Sequence, residues 1–186
     1  LNKQLAQQGI KVRTSTFLKA LEKRADEVVA TIESNGKKEQ ISAERLLLAM
    51  GVVGNVNGLG LEGTKVKVEK GFIQVDEWMQ TAEAGIYAIG DVAGPPCLAH
   101  KASHEGVICV EKIAGAAHVH PLDRWKIPYC TFSHPQVASI GMTEKQARES
   151  GHDVKVGKFP FAGNGKAVAL GEAEGFIKTI FDGKTG

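Results

Sequence analysis

Hydrophobic and polar positions change period several times along the chain, and each change predicts an element. Leu1, Leu5 and Ala6 share one helical face and Gly9 follows at a C′ position, so residues 1–9 read as the end of a helix. Ile10–Phe17 alternates loosely and carries β-branched residues, which predicts a strand. Glu27–Glu33 and Lys37–Ile41 read as two strands joined across Asn35-Gly36, a strong two-residue hairpin signal. Arg45–Met50 (Arg-Leu-Leu-Leu-Ala-Met) is a nearly continuous apolar run, consistent with a strand covered on both faces, and it ends at Gly51. Gly51–Gly63 is rich in Gly and Asn and reads as a crossing between domains. Short strands are expected at Val66–Val68 and Phe72–Val75, around a Glu-Lys-Gly turn, and again at Ile86–Ile89.

The stretch Thr81–Gly115 organises the rest. Its strand ends in Gly90 and Asp91, a loop with Gly94, Pro95 and Pro96 follows, and a helix opens near Leu98. Over Leu98–Ala114 the pattern places Ala102, Gly106, Val110 and Ile113 on an apolar stripe, with Lys101, Glu105, Glu111 and Lys112 polar. A strand that delivers a carboxylate beside a helix N-terminus suits a polar, partly anionic ligand. The carboxylate accepts from hydroxyls, and the free backbone N–H groups face negative charge. Asp91 alone fits a helix cap or turn former equally well. Beyond a second linker at Asp123–Ile127, strands are expected at Tyr129–Phe132, Gln136–Ile140, Lys155–Phe161 and Phe176–Phe181. A helix starts at Thr143, where Gln146 completes a capping-box pattern, so an α+β module begins at about residue 126.

Composition narrows the function classes. The 186 residues suffice for one large domain or two smaller ones, with enough apolar content to bury a core. Basic and acidic residues nearly balance, 23 against 21, and no basic block occurs, so neither nucleic acid nor a membrane surface is indicated as a partner. No apolar run has the length of a membrane span. Cys97, Cys109 and Cys130 are odd in number and lack metal or redox spacing, which reads as reduced thiols in a cytoplasmic protein. The start at Leu1 inside a helix and the turn signal over residues 182–186 suggest a piece of a longer polypeptide.

Several motifs are discounted. Gly58-Leu-Gly60-Leu-Glu-Gly63 matches a dinucleotide fingerprint in spelling, but no strand precedes it and a strand-like segment follows. Gly163-Asn-Gly165-Lys166 lacks the first glycine and the Ser/Thr of a phosphate loop, and a hairpin turn explains it better. His100 and His104 stand at metal-ligand spacing without an evident third ligand. His120-Pro121 and His134-Pro135 have no evident carboxylate partner and read as structural.

Gly85-Ile-Tyr-Ala-Ile-Gly-Asp91, with Gly94-Pro-Pro-Cys-Leu-Ala-His-Lys-Ala-Ser-His-Glu-Gly106, closely resembles the second FAD-binding motif of the pyridine nucleotide-disulfide oxidoreductases. The resemblance extends over the whole chain and implies α/β plus α+β architecture. Partial FAD/NAD-binding Rossmann-like domains would be followed by the start of an α+β dimerisation domain. Residues 1–51 would close the NAD-binding domain, 52–125 would form the central FAD-contacting domain, and 126–186 would open the dimerisation domain. That last part carries His134-Pro135 and Val156-Gly-Lys-Phe-Pro-Phe161.

By this resemblance Asp91 would hold the ribityl chain of FAD. Cys97, Leu98, Ala99 and His100 would belong to the same cradle, with the N–H groups of Leu98, Ala99 and His100 facing the flavin pyrimidine edge. Reduced flavin is negative there, and a helix N-terminus stabilises that charge. Gly51 would lie near NAD. Many members have Gly-Arg-x-Pro at that point; here it is Gly51-Val52-Val53-Gly54-Asn55, so the arginine contact is lacking.

The family's two phosphate loops, redox-active cysteine pair and catalytic His-Glu pair find no match, so no catalytic residue is assigned and the segment alone is expected to be inactive. Residues 98–106 are most similar to the branch that reoxidises the lipoyl group carried by the acyltransferase of a 2-oxo acid dehydrogenase complex. Members of that branch work as homodimers, passing electrons through a disulfide and FAD to NAD. Two other readings stand beside this one: a mercuric, glutathione or transhydrogenase-type relative, and a non-catalytic flavin-binding or oligomerisation module.

Overall fold

The computed structural model describes residues 1–186, which form two compact units, Leu1–Gly51 and Val52–Gly186. The first unit holds α1 (Asn2–Gln7) and an antiparallel sheet, β1 (Thr16–Lys23), β2 (Val28–Ser34) and β3 (Lys37–Ala43), in that order. The local signals act as expected. Gly9, at φ 84°, donates its N–H to Ala6 O and Ile10 N–H reaches Leu5 O, both at 3.0 Å, a Schellman closure of α1. Asn35 and Gly36, at φ 50° and 75°, make the two-residue turn that sets Ser34 opposite Lys37.

Two expectations for this unit are corrected. The first strand begins at Thr16 rather than Ile10. Thr16 pairs with Ser34, the last residue of β2 before its turn, so residues 10–15 run past the end of any partner. Arg45–Met50 forms no strand at all. The sheet ends with Val28 opposite Ala43, nothing pairs with residues 45–50, and Leu47 and Met50 are 89% and 75% exposed. An apolar run becomes a buried strand only when neighbours occupy its edges and faces.

The second unit opens with a close backbone approach. Gly54 N–H donates to Gly71 O at 3.0 Å, and a Cβ at Gly54 would stand 2.6 Å from that oxygen. Residues 58–63 end in a single 3₁₀ turn, Leu61–Gly63, with no strand before them, so they are not a phosphate fingerprint. β4 (Val68–Glu69) and β5 (Phe72–Ile73) form a minimal hairpin over Lys70 and Gly71. The strand expected at Ile86–Ile89 is reduced to one bridge, Tyr87 to Gln80, flanked by Ala88 N–H to Met79 O (3.0 Å) and Thr81 N–H to Ile86 O (3.0 Å). A 3₁₀ turn, Gly90–Ala93, and then α2 (Ala99–Ile113) follow.

Further on, β6 (Tyr129–Thr131) pairs with β7 (Val137–Ser139). α3 (Glu144–Glu149) leads to β8 (Val154–Pro160), then α4 (Gly165–Leu170) and β9 (Phe176–Asp182), with β8 and β9 antiparallel. The capping box forms: Gln146 N–H donates to the Thr143 hydroxyl (3.3 Å), and Thr143 N–H donates to Gln146 Oε1 (2.9 Å). Glu144 accepts from Lys178 of β9 (2.6 Å) and from Arg148 (2.9 Å), which holds its carboxyl below the usual range and ties α3 to the sheet. The segment at 163–166 is not a tight hairpin turn. Asn164 Oδ1 accepts the N–H of Ala167 (3.0 Å) and starts α4, so the helix connects β8 to β9.

The chain is therefore mixed helix and strand, and all its strand pairs are antiparallel. The buried core is small. Buried apolar side chains are few, Val29 and Ala30 in the first unit and Ile73, Met79, Ala88, Cys109, Ile127 and Ala147 in the second. Meanwhile Phe132 is 85% exposed, and Val110, Ile140, Phe159 and Phe176 also face outward. Apolar surface on this scale marks faces made for covering. No helix is long and apolar enough to cross a membrane.

Candidate functional site

The junction at Gly90–His100 is built from the chain outward. Asp76 Oδ1 accepts the N–H groups of Trp78 (2.8 Å) and Gln80 (2.9 Å), which turns the chain so that residues 79–81 lie beside 86–88. Ile89 is extended at φ −130°, and Gly90 then switches to φ +73° and begins the 3₁₀ turn. Glycine suits this place twice over, since it tolerates the left-handed backbone and a Cβ would meet Ala102 Cβ at 3.1 Å. Asp91 is the next residue, exposed on the first turn.

Beneath Asp91 lies a buried polar cluster. Lys101 is 1% exposed and Glu105 6%, and their charged groups meet at 3.0 Å. Lys101 Nζ also donates to Gly90 O (3.1 Å) and Gly94 O (2.7 Å), so all three ammonium protons have acceptors. Glu105 Oε2 accepts the Gly90 N–H at 2.8 Å. Both backbone polar groups of Gly90 are thus held by α2. A fully satisfied buried network of this kind restrains its members to one geometry.

This arrangement corrects the reading of α2. Lys101 and Glu105 belong to the buried stripe with Cys109, while Val107, Val110 and Ile113 are exposed. The packed face is centred on Lys101, Glu105 and Cys109, with Ala102 and Gly106 half-buried at its edge. Of the expected polar face, Glu111 and Lys112 remain outward, and Lys112 Nζ stands 4.1 Å over the Trp78 ring. The Cys109 thiol is pushed up by burial and then by the Asp76 charge, which makes it a packing residue.

The remaining candidates are placed as follows. Leu98 is the N-cap residue of α2 in extended conformation, with no side-chain cap. Its own N–H, expected to face a ligand, is instead donated to Pro96 O at 3.0 Å. Helix geometry leaves the N–H groups of Ala99 and His100 without intrahelical acceptors. His100 Nε2–H donates to Pro128 O (2.9 Å), so this side chain ties the start of α2 to the chain ahead of β6. His100 and His104 join no cluster that could hold a metal. Cys97 is half-buried with a free thiol, and Cys130 is exposed. Gly51, at φ +87°, closes the first unit, and the strand expected to end there is not formed. Sequence reading placed Lys101 and Glu105 on the polar face and missed this role; the signal present was a Lys–Glu pair at i,i+4 following a Gly/Pro loop, which does not display the backbone partners.

An exposed carboxylate and an uncapped fifteen-residue helix are locked together through one glycine, which sets an acceptor for hydroxyls beside a helix end whose partial charge suits an anionic edge. Residues 1–106 match the profile described as pyridine nucleotide-disulphide oxidoreductase, and residues 127–186 match the dimerisation domain of the same family. The chain belongs to the pyridine nucleotide-disulphide oxidoreductase family.

Among curated relatives, the dihydrolipoyl dehydrogenase of Rhizobium etli is 56% identical over 185 residues, covering 99% of this chain and 38% of the relative. Those of Zymomonas mobilis and Bacillus subtilis are 48% and 46% identical, over 99% and 95% of this chain and 40% and 36% of theirs. The chain therefore spans about two fifths of the length of these relatives. The HOCl-induced flavoprotein disulfide reductase RclA of Escherichia coli superposes with a TM-score of 0.85 at 28% identity, over 98% of this chain and 41% of that one. LpdA of Mycobacterium tuberculosis shares the fold with a TM-score of 0.88 at 24% identity, over 99% and 39%.

Proposed function

We propose that the chain works as part of a longer flavoprotein that oxidises dihydrolipoyl groups with NAD, and that it supplies the ribityl and ring end of the FAD site. The observation that carries this is the Gly90–His100 junction, where Asp91 and the open end of α2 are held on one latch. The residues fit the group: a carboxylate accepts from sugar hydroxyls, and the Ala99 and His100 N–H groups suit the flavin pyrimidine edge. Cys97 and Leu98 flank that edge through the backbone turn at Pro96. A bound flavin supplies a two-electron relay between a dithiol and a nicotinamide.

For this chain the work is binding and orientation. Asp91 fixes the polyol, and the helix N-terminus favours negative charge at the ring without reorganisation. Gly51 supplies a backbone position for NAD; the phosphate grips and the redox disulfide belong to other parts of the polypeptide. The identity with dihydrolipoyl dehydrogenases supports a lipoyl group on the acyltransferase of a 2-oxo acid dehydrogenase complex as substrate, and a cytoplasmic setting. Residues 52–125 are read as the FAD-contacting part and 126–186 as the start of the dimerisation part. Exposed Phe132, Ile140, Phe159 and Phe176 support a homodimer contact there.

The test is turnover. The full-length polypeptide should reduce NAD with dihydrolipoamide, while residues 1–186 alone should give background rates. Turnover by the full-length protein with glutathione or mercuric ion, and none with dihydrolipoamide, would contradict the substrate assignment.

A further inference from the structure

We propose that Lys101 and Glu105 are positioning residues of the flavin site, which set the Asp91 carboxylate relative to the N-terminus of α2. This rests on the flavin reading of the junction. The pair touches no surface a ligand can reach: Lys101 is 1% exposed and Glu105 6%. Its contacts go to the backbone that carries Asp91. Glu105 takes the N–H of Gly90 and Lys101 takes its C=O, so the residue before Asp91 is clamped from both sides. Lys101 also holds Gly94 O, four residues on, so both ends of the 3₁₀ turn that bears Asp91 are fixed to the first two turns of α2. The Ala99 and His100 N–H groups open from the same first turn. The separation between the acceptor for hydroxyls and the donors for the ring edge is therefore set by these three contacts.

A packing role alone does not need this chemistry. Replacing a buried ion pair by apolar side chains of similar volume is often neutral for stability. What such a replacement removes here is the hold on Gly90 and Gly94. Without it, the Gly90 left-handed turn can relax and Asp91 loses its fixed distance from the helix end.

The test is a double-mutant cycle on FAD affinity in the full-length polypeptide, with apoprotein titrated by FAD. One arm is Asp91→Ala, the other Lys101→Met/Glu105→Leu, and the fourth corner combines them. Lys101→Met/Glu105→Leu should lower the unfolding temperature of the apoprotein, since Gly90 and Gly94 lose their partners, yet leave it folded and weaken FAD by about tenfold, and Asp91→Ala should then cost about tenfold less than in the parent. The visible circular dichroism of bound flavin should change as well, a signature that packing alone does not move. Equal losses from Asp91→Ala in both backgrounds would overturn the positioning role while leaving Asp91 in the site. No loss from Asp91→Ala in the parent would overturn the flavin reading itself. If the doubly substituted arm does not fold, Glu105→Gln in its place reads the same coupling at about threefold, against none if the pair is only structural.

Discussion

Asp91→Ala in the full-length polypeptide should weaken FAD by roughly thirtyfold, about 2 kcal/mol, the worth of a hydrogen bond to a charged group. The loss should appear in equilibrium titration of apoprotein and in faster flavin release on dilution. Asp91 is exposed and makes none of the latch contacts, so its removal should leave the unfolding of the apoprotein almost unchanged. Asp91→Asn keeps an acceptor oxygen and should recover part of the affinity. Unchanged retention in Asp91→Ala would take this residue out of the site. The same substitution also separates the two descriptions of Asp91: as a turn former it would cost stability and not flavin.

The largest effect on stability is expected at Lys101. Lys101→Met leaves Glu105 buried without its cation and Gly94 O without its donor, and removal of one partner of a buried pair costs about 3–5 kcal/mol. Denaturant unfolding of the apoprotein should show it. Adding Glu105→Leu should recover part of the loss, because no buried charge is then stranded although Gly90 and Gly94 still lack their partners. A Lys101→Met protein as stable as its parent at neutral pH would show that the cluster is not the closed network of four contacts described above.

Much of the architecture can be read locally. Asn35-Gly36 and Thr143…Gln146 are legible because a turn or a cap is settled by residues within one or two turns of chain, and both form as spelled. Gly90-Asp91 and the Gly94-Pro95-Pro96 loop locate the junction for the same reason. Where the outcome depends on a distant partner, the pattern misleads. Arg45–Met50 looks like a covered strand, yet covering is a property of neighbours, and Leu47 stands open. Lys101 and Glu105 look like a solvent face because charge is normally exposed. Their partners are backbone groups of Gly90 and Gly94, which no side-chain pattern can display. Leu98 shows the same limit on a smaller scale, since its N–H is taken by Pro96 O within the loop.

In the proposed site the junction of Gly90, Asp91 and α2 would face the ribityl chain and ring of a flavin. A crystal structure of the full-length polypeptide with FAD tests it most directly. The expected result is an Asp91 carboxylate oxygen within hydrogen-bonding distance of a ribityl hydroxyl, and the Ala99 and His100 N–H groups directed at the pyrimidine edge, with Lys101 and Glu105 unmoved beneath Gly90. A flavin bound with its ring and ribityl chain away from Asp91 and from the start of α2 would contradict the account.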